Sequence, residues 1–195
     1  MGRRSFKRKE GGRKPRKLIL VAVEGQKTEV AYFNHFKKRG SNIKINCFPA
    51  KKGSAPLHVL KTLQQKLDYE EMQEGDEAWL VVDRDEWDEK HLEALTKWTT
   101  KAEDRYLALS NPKFEFWLLL HFEDCRKCMN SEQCTRALKK HLPGYDKTIE
   151  PFTTEQIVKA IDRARKLDTC KENDWPRESA RTTVYRLVER LLRHL

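Results

Sequence analysis

The sequence predicts an α/β protein with a mostly parallel four-stranded sheet, flanking helices and a helical C-terminal part. Two runs, 18–23 and 78–82, are almost entirely apolar and end abruptly in acidic residues. Short apolar runs bounded by turn residues are typical of strands buried on both faces of a sheet. Strand and helix patterns alternate as far as residue 122, which favours right-handed crossovers between parallel strands.

The first half of this pattern contains two strands and two helices. After the strand over 18–23, Thr28 is the expected N-cap of a helix over 29–39 that stops at Gly40. Apolar and polar residues alternate over 43–47, which predicts a half-exposed strand at an edge of the sheet. Pro56 opens the next helix, which carries leucines at helical spacing and ends near Gly75.

The second half continues the alternation and then becomes helical. The strand over 78–82 precedes a helix near 89–101 and a short strand over 106–109. Residues 114–122 are apolar on almost every side and predict a buried helix. From residue 123 onward the sequence shows no strand pattern, and the expected helices cover 132–141, 153–167 and 179–193. The expected divisions are a basic flexible arm over 1–17, an α/β domain over 18–123 and a helical region over 124–195 packed on it.

Charge is concentrated at the N-terminus of this 195-residue chain. Residues 1–17 contain nine Lys or Arg and one acid, Glu10, and so carry +8 of the formal net charge of +10. Such an arm is suited to contacts with nucleic-acid phosphates, although a solvated tail that aids solubility is the alternative.

The composition also bears on the compartment. No run approaches the ~18 consecutive apolar residues that span a membrane, and the N-terminus lacks the apolar core of a signal peptide. The five cysteines are an odd number scattered through an α/β pattern. We therefore expect no membrane association and a reducing, cytoplasmic location.

Acidic residues follow both buried strands and form the main candidate site. Glu24 ends the first run, and Asp83 and Asp85 follow the second. Ligand sites of open α/β sheets lie at the carboxyl ends of strands, and Mg²⁺ prefers a few carboxylate oxygens together with water. We therefore predict a magnesium or manganese site here, although acids are also common in turns after strands.

Residues beside these acids have candidate roles. Glu24 could be a metal ligand or a general base, and Lys27 could stabilise charge that develops on a phosphate. Glu29 could bind a second ion or only complement a helix dipole. Glu115 either joins the metal site or pairs with a cation such as Lys27 or Arg84. The candidate substrate-binding residues are Lys27, Lys51, Lys52, Arg84 and Asn111. For Lys51 and Lys52 the alternative is a solvated surface charge.

A second cluster suggests zinc as an alternative cofactor. His121, Cys125, Cys128 and Cys134 lie within fourteen residues, and His141 is a further candidate ligand. Zinc sites use Cys-x2-Cys pairs and neutral histidine, but the usual second pair lies farther away, and buried free cysteine is also common in cores.

Several motifs together resemble a known family. Val23-Glu24-Gly25-x-x-Thr28-Glu29 and Val82-Asp83-x-Asp85 each follow a buried strand, as in the Toprim domain of topoisomerases, bacterial primases and OLD-family nucleases. The block Asn111-Pro112-x-Phe114-Glu115-x-Trp117 and the late Thr182-Thr183-Val184 resemble the RloB-like family of bacterial Toprim proteins more closely.

This resemblance implies a Toprim-like fold and Mg²⁺-dependent phosphodiester chemistry. Glu24 would take the position of the catalytic glutamate, and Asp83 and Asp85 would be the metal-binding pair. It also implies a nuclease of bacterial anti-phage defence. The substrate does not follow from the resemblance and would be RNA, such as tRNA, or DNA. Because a toxic nuclease needs control, we expect a regulatory or sensor protein as partner. The alternative is a nucleic-acid-binding or accessory subunit of a defence or restriction complex without hydrolytic activity.

Overall fold

The fold is an α/β sandwich built on one five-stranded sheet. A computed structural model describes residues 16–38, 40–50, 55–84, 87–125, 130–168 and 180–194. The elements are β1 (Lys17–Val23), α1 (Thr28–Asn34), β2 (Ile43–Pro49), α2 (Pro56–Leu67), β3 (Glu77–Asp83), α3 (Glu89–Thr99), β4 (Arg105–Asn111), α4 (Phe114–Leu119), α5 (Ser131–His141), α6 (Thr154–Leu167), β5 (Arg181–Thr182) and α7 (Val184–Leu192).

The strands lie in the order β2-β1-β3-β4-β5, and the first four are parallel. β1 therefore has a neighbour on each side, which explains why six of its seven residues are buried. β2 lies at the edge, as the alternation over 43–47 predicts. The mostly parallel sheet with flanking helices confirms the predicted fold class and is consistent with a Toprim-like arrangement.

Alternate residues of β1 enter two separate apolar cores, because successive side chains of a strand point to opposite faces. Leu20 packs in the core beneath α2 and α3, together with Val59 and Leu95. Ile19 packs in the larger core on the other face, whose members come from α1 and from α4 to α7. The sheet is thus covered on both faces, and only the ends of its strands are available for a site.

The number of strands differs from the prediction of four. β5 is a two-residue strand that pairs antiparallel with β4, through Ser110 with Thr182 and Asn111 with Arg181. The expected helix over 179–193 is correspondingly shorter and begins at Val184. Two residues are too few to produce a detectable alternation, so the sequence pattern shows only the helix that follows.

The remaining differences concern the ends of elements. α1 ends at Asn34, earlier than the expected helix over 29–39, and Thr28 is its first residue and not its cap. Lys17, assigned to the basic arm, already belongs to β1, and residues 1–15 of that arm lie outside the described residues. Within the described ranges, no helix is both long enough and apolar enough to cross a membrane.

Candidate functional site

An open cleft of about 560 Å³ lies at the carboxyl ends of β1 and β3. We call it the acidic cleft, because four carboxylates line it. Its lining residues are Glu24, Gly25, Gln26, Lys27, Thr28, Glu29, Asp83, Lys113, Glu115 and Lys147. Acidic side chains that are up to 91 positions apart in the sequence therefore meet at one edge of the sheet, where open α/β proteins bind their ligands.

Glu24 and Asp83 are held by the ends of neighbouring strands. The backbone N–H of Glu24 donates to the Val81 carbonyl (3.2 Å), which continues the parallel ladder beyond β1. The backbone N–H of Asp83 donates to Glu24 Oε2 (3.1 Å). Asp83 Oδ1 in turn accepts from the Phe114 N–H (2.9 Å) at the start of α4. A main-chain N–H thus holds one oxygen of each carboxylate.

Gly25 brings Glu29 back over the turn between β1 and α1. The Gly25 N–H donates to Glu29 Oε1 at 3.0 Å, and Glu29 is 7% exposed. A Cβ atom at position 25 would overlap the Glu29 carboxylate. The glycine is therefore required by the close approach of this side chain to the backbone.

Glu115 is held from the opposite wall of the cleft. Tyr145 donates its hydroxyl to Glu115 Oε1 (3.1 Å), and the same hydroxyl lies 3.1 Å from Thr28 Oγ1. Thr28 Oγ1 also donates to the Lys147 carbonyl (2.9 Å). The segment between α5 and α6 is thereby attached to α1 and α4. Of the two roles predicted for Glu115, pairing with Lys27 or Arg84 is not what is observed, since its partner is Tyr145.

Two of the four carboxylates, Glu29 and Asp83, have raised pKa values. Burial is the main reason that the pKa of Asp83 lies well above its usual value, and the charges of Glu29, Glu24 and Glu115 raise it further. Burial also raises the pKa of Glu29, and Glu115 adds to this effect. Burial and the charge of Glu115 raise the pKa of the Tyr145 hydroxyl, so this residue remains a hydrogen-bond donor. The cleft therefore concentrates negative charge that a cation would relieve.

Three lysines lie around the same cleft. Lys27 and Lys147 are exposed, and the charge of Lys147 acts on Glu29. Lys147 has a backbone φ of 75°, the left-handed conformation that is uncommon for a residue with a side chain. Lys113 donates to Thr135 Oγ1 (2.7 Å) on α5. The acidic floor is thus bordered by cationic groups, which is an arrangement suited to an anionic substrate held around a cation.

A family model described as RloB-like protein matches residues 19–191. The chain belongs to the RloB-like family. The match begins in β1 and ends in α7, so it includes every element that lines the acidic cleft. Neither the curated proteins nor the solved structures include a match to the chain.

Two residues predicted to bind substrate lie away from the acidic cleft in this RloB-like protein. Arg84 is 2% exposed, and its guanidinium donates to the Trp87 carbonyl. Asn111 is 4% exposed and lies where β4 pairs with β5. Both side chains are buried and neither lines the cleft, so a role in binding substrate stays a prediction for each. Asp85, Lys51 and Lys52 lie outside the described residues.

The described part of the proposed zinc cluster is built into the apolar core. His121 lies 3.1 Å from the Tyr32 hydroxyl through Nε2 and 3.0 Å from the Trp117 carbonyl through Nδ1. Its ring stacks on Phe152, and burial lowers its pKa to about 4. His121 is thus a neutral core histidine, and both of its ring nitrogens have partners. To bind zinc, His121 would have to give up one of these contacts.

The surroundings of the other members of this cluster also give no support to a zinc site. Cys125 and Cys134 are buried thiols outside any disulfide, and Cys128 lies outside the described residues. His141, the alternative ligand, contacts Glu123 through Nε2 at 3.1 Å and stacks on Phe122. Among the residues that the structure describes, no group of three or more His, Cys, Asp or Glu side chains is arranged to enclose a metal ion.

The acidic cleft nevertheless fits a hydrated hard cation. Its donors are carboxylate oxygens, and Mg²⁺ commonly takes one or two carboxylates and completes its shell with water and substrate phosphate. Such a site does not require three protein ligands closed around the ion. The pKa of Asp83 is raised first by burial and then by repulsion from the neighbouring acids, and a divalent cation would offset that repulsion.

The sequence alone did not identify Tyr145, Lys113 and Lys147 as cleft residues. Tyr145 follows Pro143-Gly144 in a segment that the sequence marks only as a break between helices. Lys113 lies between Pro112 and Phe114 in the block that resembles the family, and its position beside Glu115 is the one available signal. Lys147 has no distinguishing neighbours, since its role depends on how the segment folds back onto Thr28.

Proposed function

We propose that this RloB-like protein is a Mg²⁺-dependent or Mn²⁺-dependent nuclease that hydrolyses phosphodiester bonds of nucleic acid. The observation that carries this proposal is the meeting of Glu24, Glu29, Asp83 and Glu115 in one cleft bordered by lysines. Acids alone would favour a cation site of any kind. Acids together with Lys27 and Lys147 favour a cation that works on a phosphate.

Glu24 and Asp83 are the proposed principal metal ligands, with Glu29 and Glu115 as candidates for a second ion. When bound, the cation would polarise a phosphoryl oxygen and lower the pKa of an attacking water. The backbone contacts of Glu24 and Asp83 orient their carboxylates before any ligand arrives, which avoids reorganisation during the reaction. Asp85 stays a predicted ligand.

The remaining groups of the cleft have proposed roles in holding substrate and protons. Glu24 is placed to accept a proton from the attacking water if it does not ligate the metal directly. Lys27 and Lys147, at the exposed mouth, would contact the phosphate oxygens. Tyr145 would keep Glu115 in place through its hydroxyl hydrogen bond and is a positioning residue in this scheme.

The direct test is cleavage of labelled tRNA, single-stranded RNA and single- and double-stranded DNA with Mg²⁺ or Mn²⁺. We expect metal-dependent cleavage by the natural sequence and a loss of at least ~100-fold in Glu24→Gln and Asp83→Asn, because each removes a charge from the metal site. Glu74→Gln and Asp162→Asn change exposed acids outside the cleft and serve as controls. Equal cleavage by all five proteins would reject the proposal.

The same experiment separates the nuclease from an accessory subunit. Binding of nucleic acid without cleavage, under every metal condition, would indicate a binding protein whose acidic cleft has another role. Membership of the RloB-like family supports a further proposal, a role in bacterial anti-phage defence with a regulatory or sensor protein as partner and a cytoplasmic location. Phage challenge of bacteria that express the natural sequence or Glu24→Gln tests it, and equal plating would contradict it.

A further inference from the structure

A second cavity adjoins the acidic cleft and has a different chemical character. It measures about 720 Å³ and is open to solvent beside β2 and α2. We call it the side pocket, and the lining residues that matter here are Gln26, Asn46, Phe48, Gln65, Asp68 and Tyr69. Cavities of roughly 300–1,000 Å³ are the usual size for small ligands or for one unit of a larger one.

Gln26 connects the two cavities. Its side chain lines both the acidic cleft and the side pocket, and its Nε2 donates to the Ala50 carbonyl at 3.0 Å. Ala50 is itself attached to the end of β1, since its N–H donates to the Val23 carbonyl (3.0 Å). Gln26 is thus shared by the two cavities, and a bound chain molecule could extend from one cavity into the other.

The lining of the side pocket matches a nucleobase and not a phosphate. Asn46 and Gln65 each present an amide with both donor and acceptor atoms, as the edges of bases do. No hydrogen-bond partner for either amide occurs within the part of the chain that the structure describes. The one lysine of the pocket, Lys66, lies 3.4 Å from Glu70, and Asp68 would repel a phosphate.

An exposed aromatic ring supplies a surface for stacking. Tyr69 follows the end of α2 and is 87% exposed, far more than the other large hydrophobic residues of the described chain. Phe48 is half-buried on the α2 face of β2, in register with Ala22. Aromatic side chains beside an open cavity bind unpaired bases by stacking, whatever the base.

We propose that the side pocket binds one unpaired base next to the phosphate held in the acidic cleft. This inference rests on the proposed function and narrows the substrate to a strand that is single-stranded at the cleavage site. Tyr69 supplies the stacking surface, and Asn46 and Gln65 read the edge of the base. A paired base cannot enter, because its edge is already hydrogen-bonded to its complement.

The test measures binding separately from cleavage. Full-length Glu24→Gln protein in Mg²⁺ is titrated into labelled single-stranded oligonucleotides of one base type, and fluorescence anisotropy gives the Kd. Adding Tyr69→Ala should weaken binding roughly 5- to 100-fold, the range expected for loss of one stacked base, whereas Tyr69→Phe keeps the ring and should change Kd less than about twofold. Leu57→Ala, an exposed apolar change on α2 outside the pocket, is the control.

Selectivity among the four base types is the second property to measure. Asn46→Ala and Gln65→Ala should change the order of preference among the four base types, since they remove hydrogen bonds to the base edge. Duplex binding should be unaffected by any of these variants.

The outcomes are decisive for the inference and independent of the nuclease test. Equal Kd values for Tyr69→Ala and Leu57→Ala, or an equal loss on duplex and single strand, would overturn it. It would also be overturned if neither the natural sequence nor the Glu24→Gln protein bound any oligonucleotide. Cleavage by the natural sequence with normal binding by Tyr69→Ala would reject the side pocket alone. Loss of binding in Tyr69→Ala without cleavage by any variant would reject the nuclease alone.

Discussion

At the scale of single residues, Gly25 is the position where the site tolerates least change. A side chain there would occupy the space of the Glu29 carboxylate, which the Gly25 N–H now binds. We predict that Gly25→Ala loses most of the cleavage activity and destabilises the fold by only about 1–2 kcal/mol, the usual effect of one displaced hydrogen bond and local crowding.

The control for Gly25→Ala is another glycine. A Cβ atom at Gly144 would meet nothing within 4 Å. Gly144→Ala should therefore keep both activity and the free energy of unfolding measured by urea titration. Full activity in Gly25→Ala would show that the position of Glu29 does not matter for the reaction.

The raised pKa of Asp83 leads to a prediction about how the stability of the fold depends on pH and on divalent cations. Its folded-state pKa is raised by burial and by the neighbouring acids, so its ionisation lowers the stability of the fold as pH rises through that pKa. Without divalent cations, Asp83→Asn should therefore be more stable than the natural sequence at neutral pH, and the difference should disappear in acid. The Phe114 N–H keeps an oxygen acceptor in this variant.

Binding of a divalent cation should make the natural sequence more stable than Asp83→Asn. Binding to the folded state alone stabilises by about 2.7 kcal/mol when the free cation is at a hundredfold excess over its Kd. We expect Mg²⁺ or Mn²⁺ to raise the Tm of the natural sequence, and to do so more at neutral than at acidic pH, with little effect on Asp83→Asn. An equal rise in both proteins in a thermal scan would place the cation elsewhere.

At the scale of elements, Glu77 joins three parts of the chain at the end of β3 far from the acidic cleft. Glu77 Oε1 accepts from Lys17 Nζ (2.6 Å) of β1 and from Arg190 (2.7 Å) of α7, and Oε2 accepts from Trp79 Nε1 (2.8 Å). Arg190 also lies over the Tyr106 ring at 4.5 Å. Glu77 thus ties α7 to β1 and β3, in addition to the apolar packing of α7 against the sheet.

Removing the charge of Glu77 should therefore weaken the fold. Burial would raise its pKa, but the contacts with Lys17, Trp79 and Arg190 outweigh burial and lower it. A lowered folded-state pKa means that the stabilisation is present above the unfolded pKa and is lost as pH falls through the folded one. We predict that Glu77→Gln costs roughly 1–3 kcal/mol at neutral pH, and less in acid.

Urea titration at several pH values measures this effect. Glu93→Gln is the matched control, since Glu93 forms an ion pair with Lys97 at 3.4 Å in which both side chains are well exposed. Exposed pairs of this kind contribute about 0–1 kcal/mol. A cost for Glu77→Gln that is no larger than that of the control, or that does not depend on pH, would contradict the role of Glu77.

At the scale of the whole molecule, charge is unevenly divided, and this leads to a prediction about salt. Residues 1–15 contain seven Lys or Arg, and replacing them with glutamine removes much of the net charge of +10. If the arm contacts phosphates, this variant should bind nucleic acid more weakly and with a smaller slope of log K against log salt, by about 0.7–0.9 per lost contact. An unchanged slope would identify the arm as a tail that aids solubility.

The sequence predicted the parts of the molecule that depend on local pattern. The buried strands β1 and β3 are evident because long apolar runs have few alternative structures, and the acids that end them follow directly. The parallel pairing of the first four strands was expected from the alternation of strands and helices, and the place of Glu115 from its position after β4. Long-range contacts could not be predicted from the sequence. β5 is too short to show a pattern, and Tyr145 contacts Thr28, which lies 117 positions away in the chain.

The same limit applies to residues whose surroundings differ from those that their spacing suggested. Arg84 follows β3 immediately, so its position in the sequence suggested the cleft, but its side chain is buried and donates to the Trp87 carbonyl. His121 and the nearby cysteines had the spacing of ligands, whereas the packing of Tyr32, Trp117 and Phe152 assigned His121 to the core. Spacing reports which residues are near in the chain, and tertiary packing decides which way they face.

The antiparallel strand β5 has a consequence for synthesis of the chain. All four parallel strands are made before residue 112, whereas the strand that covers β4 comes some seventy residues later. Until then the backbone N–H and C=O groups of Ser110 and Asn111 remain an open edge, and open edges recruit other strands. A ribosome that stalls between α4 and β5 would therefore release an aggregation-prone fragment that already contains Glu24, Asp83 and Glu115, and the chain would depend on rapid completion or on a chaperone that shields that edge.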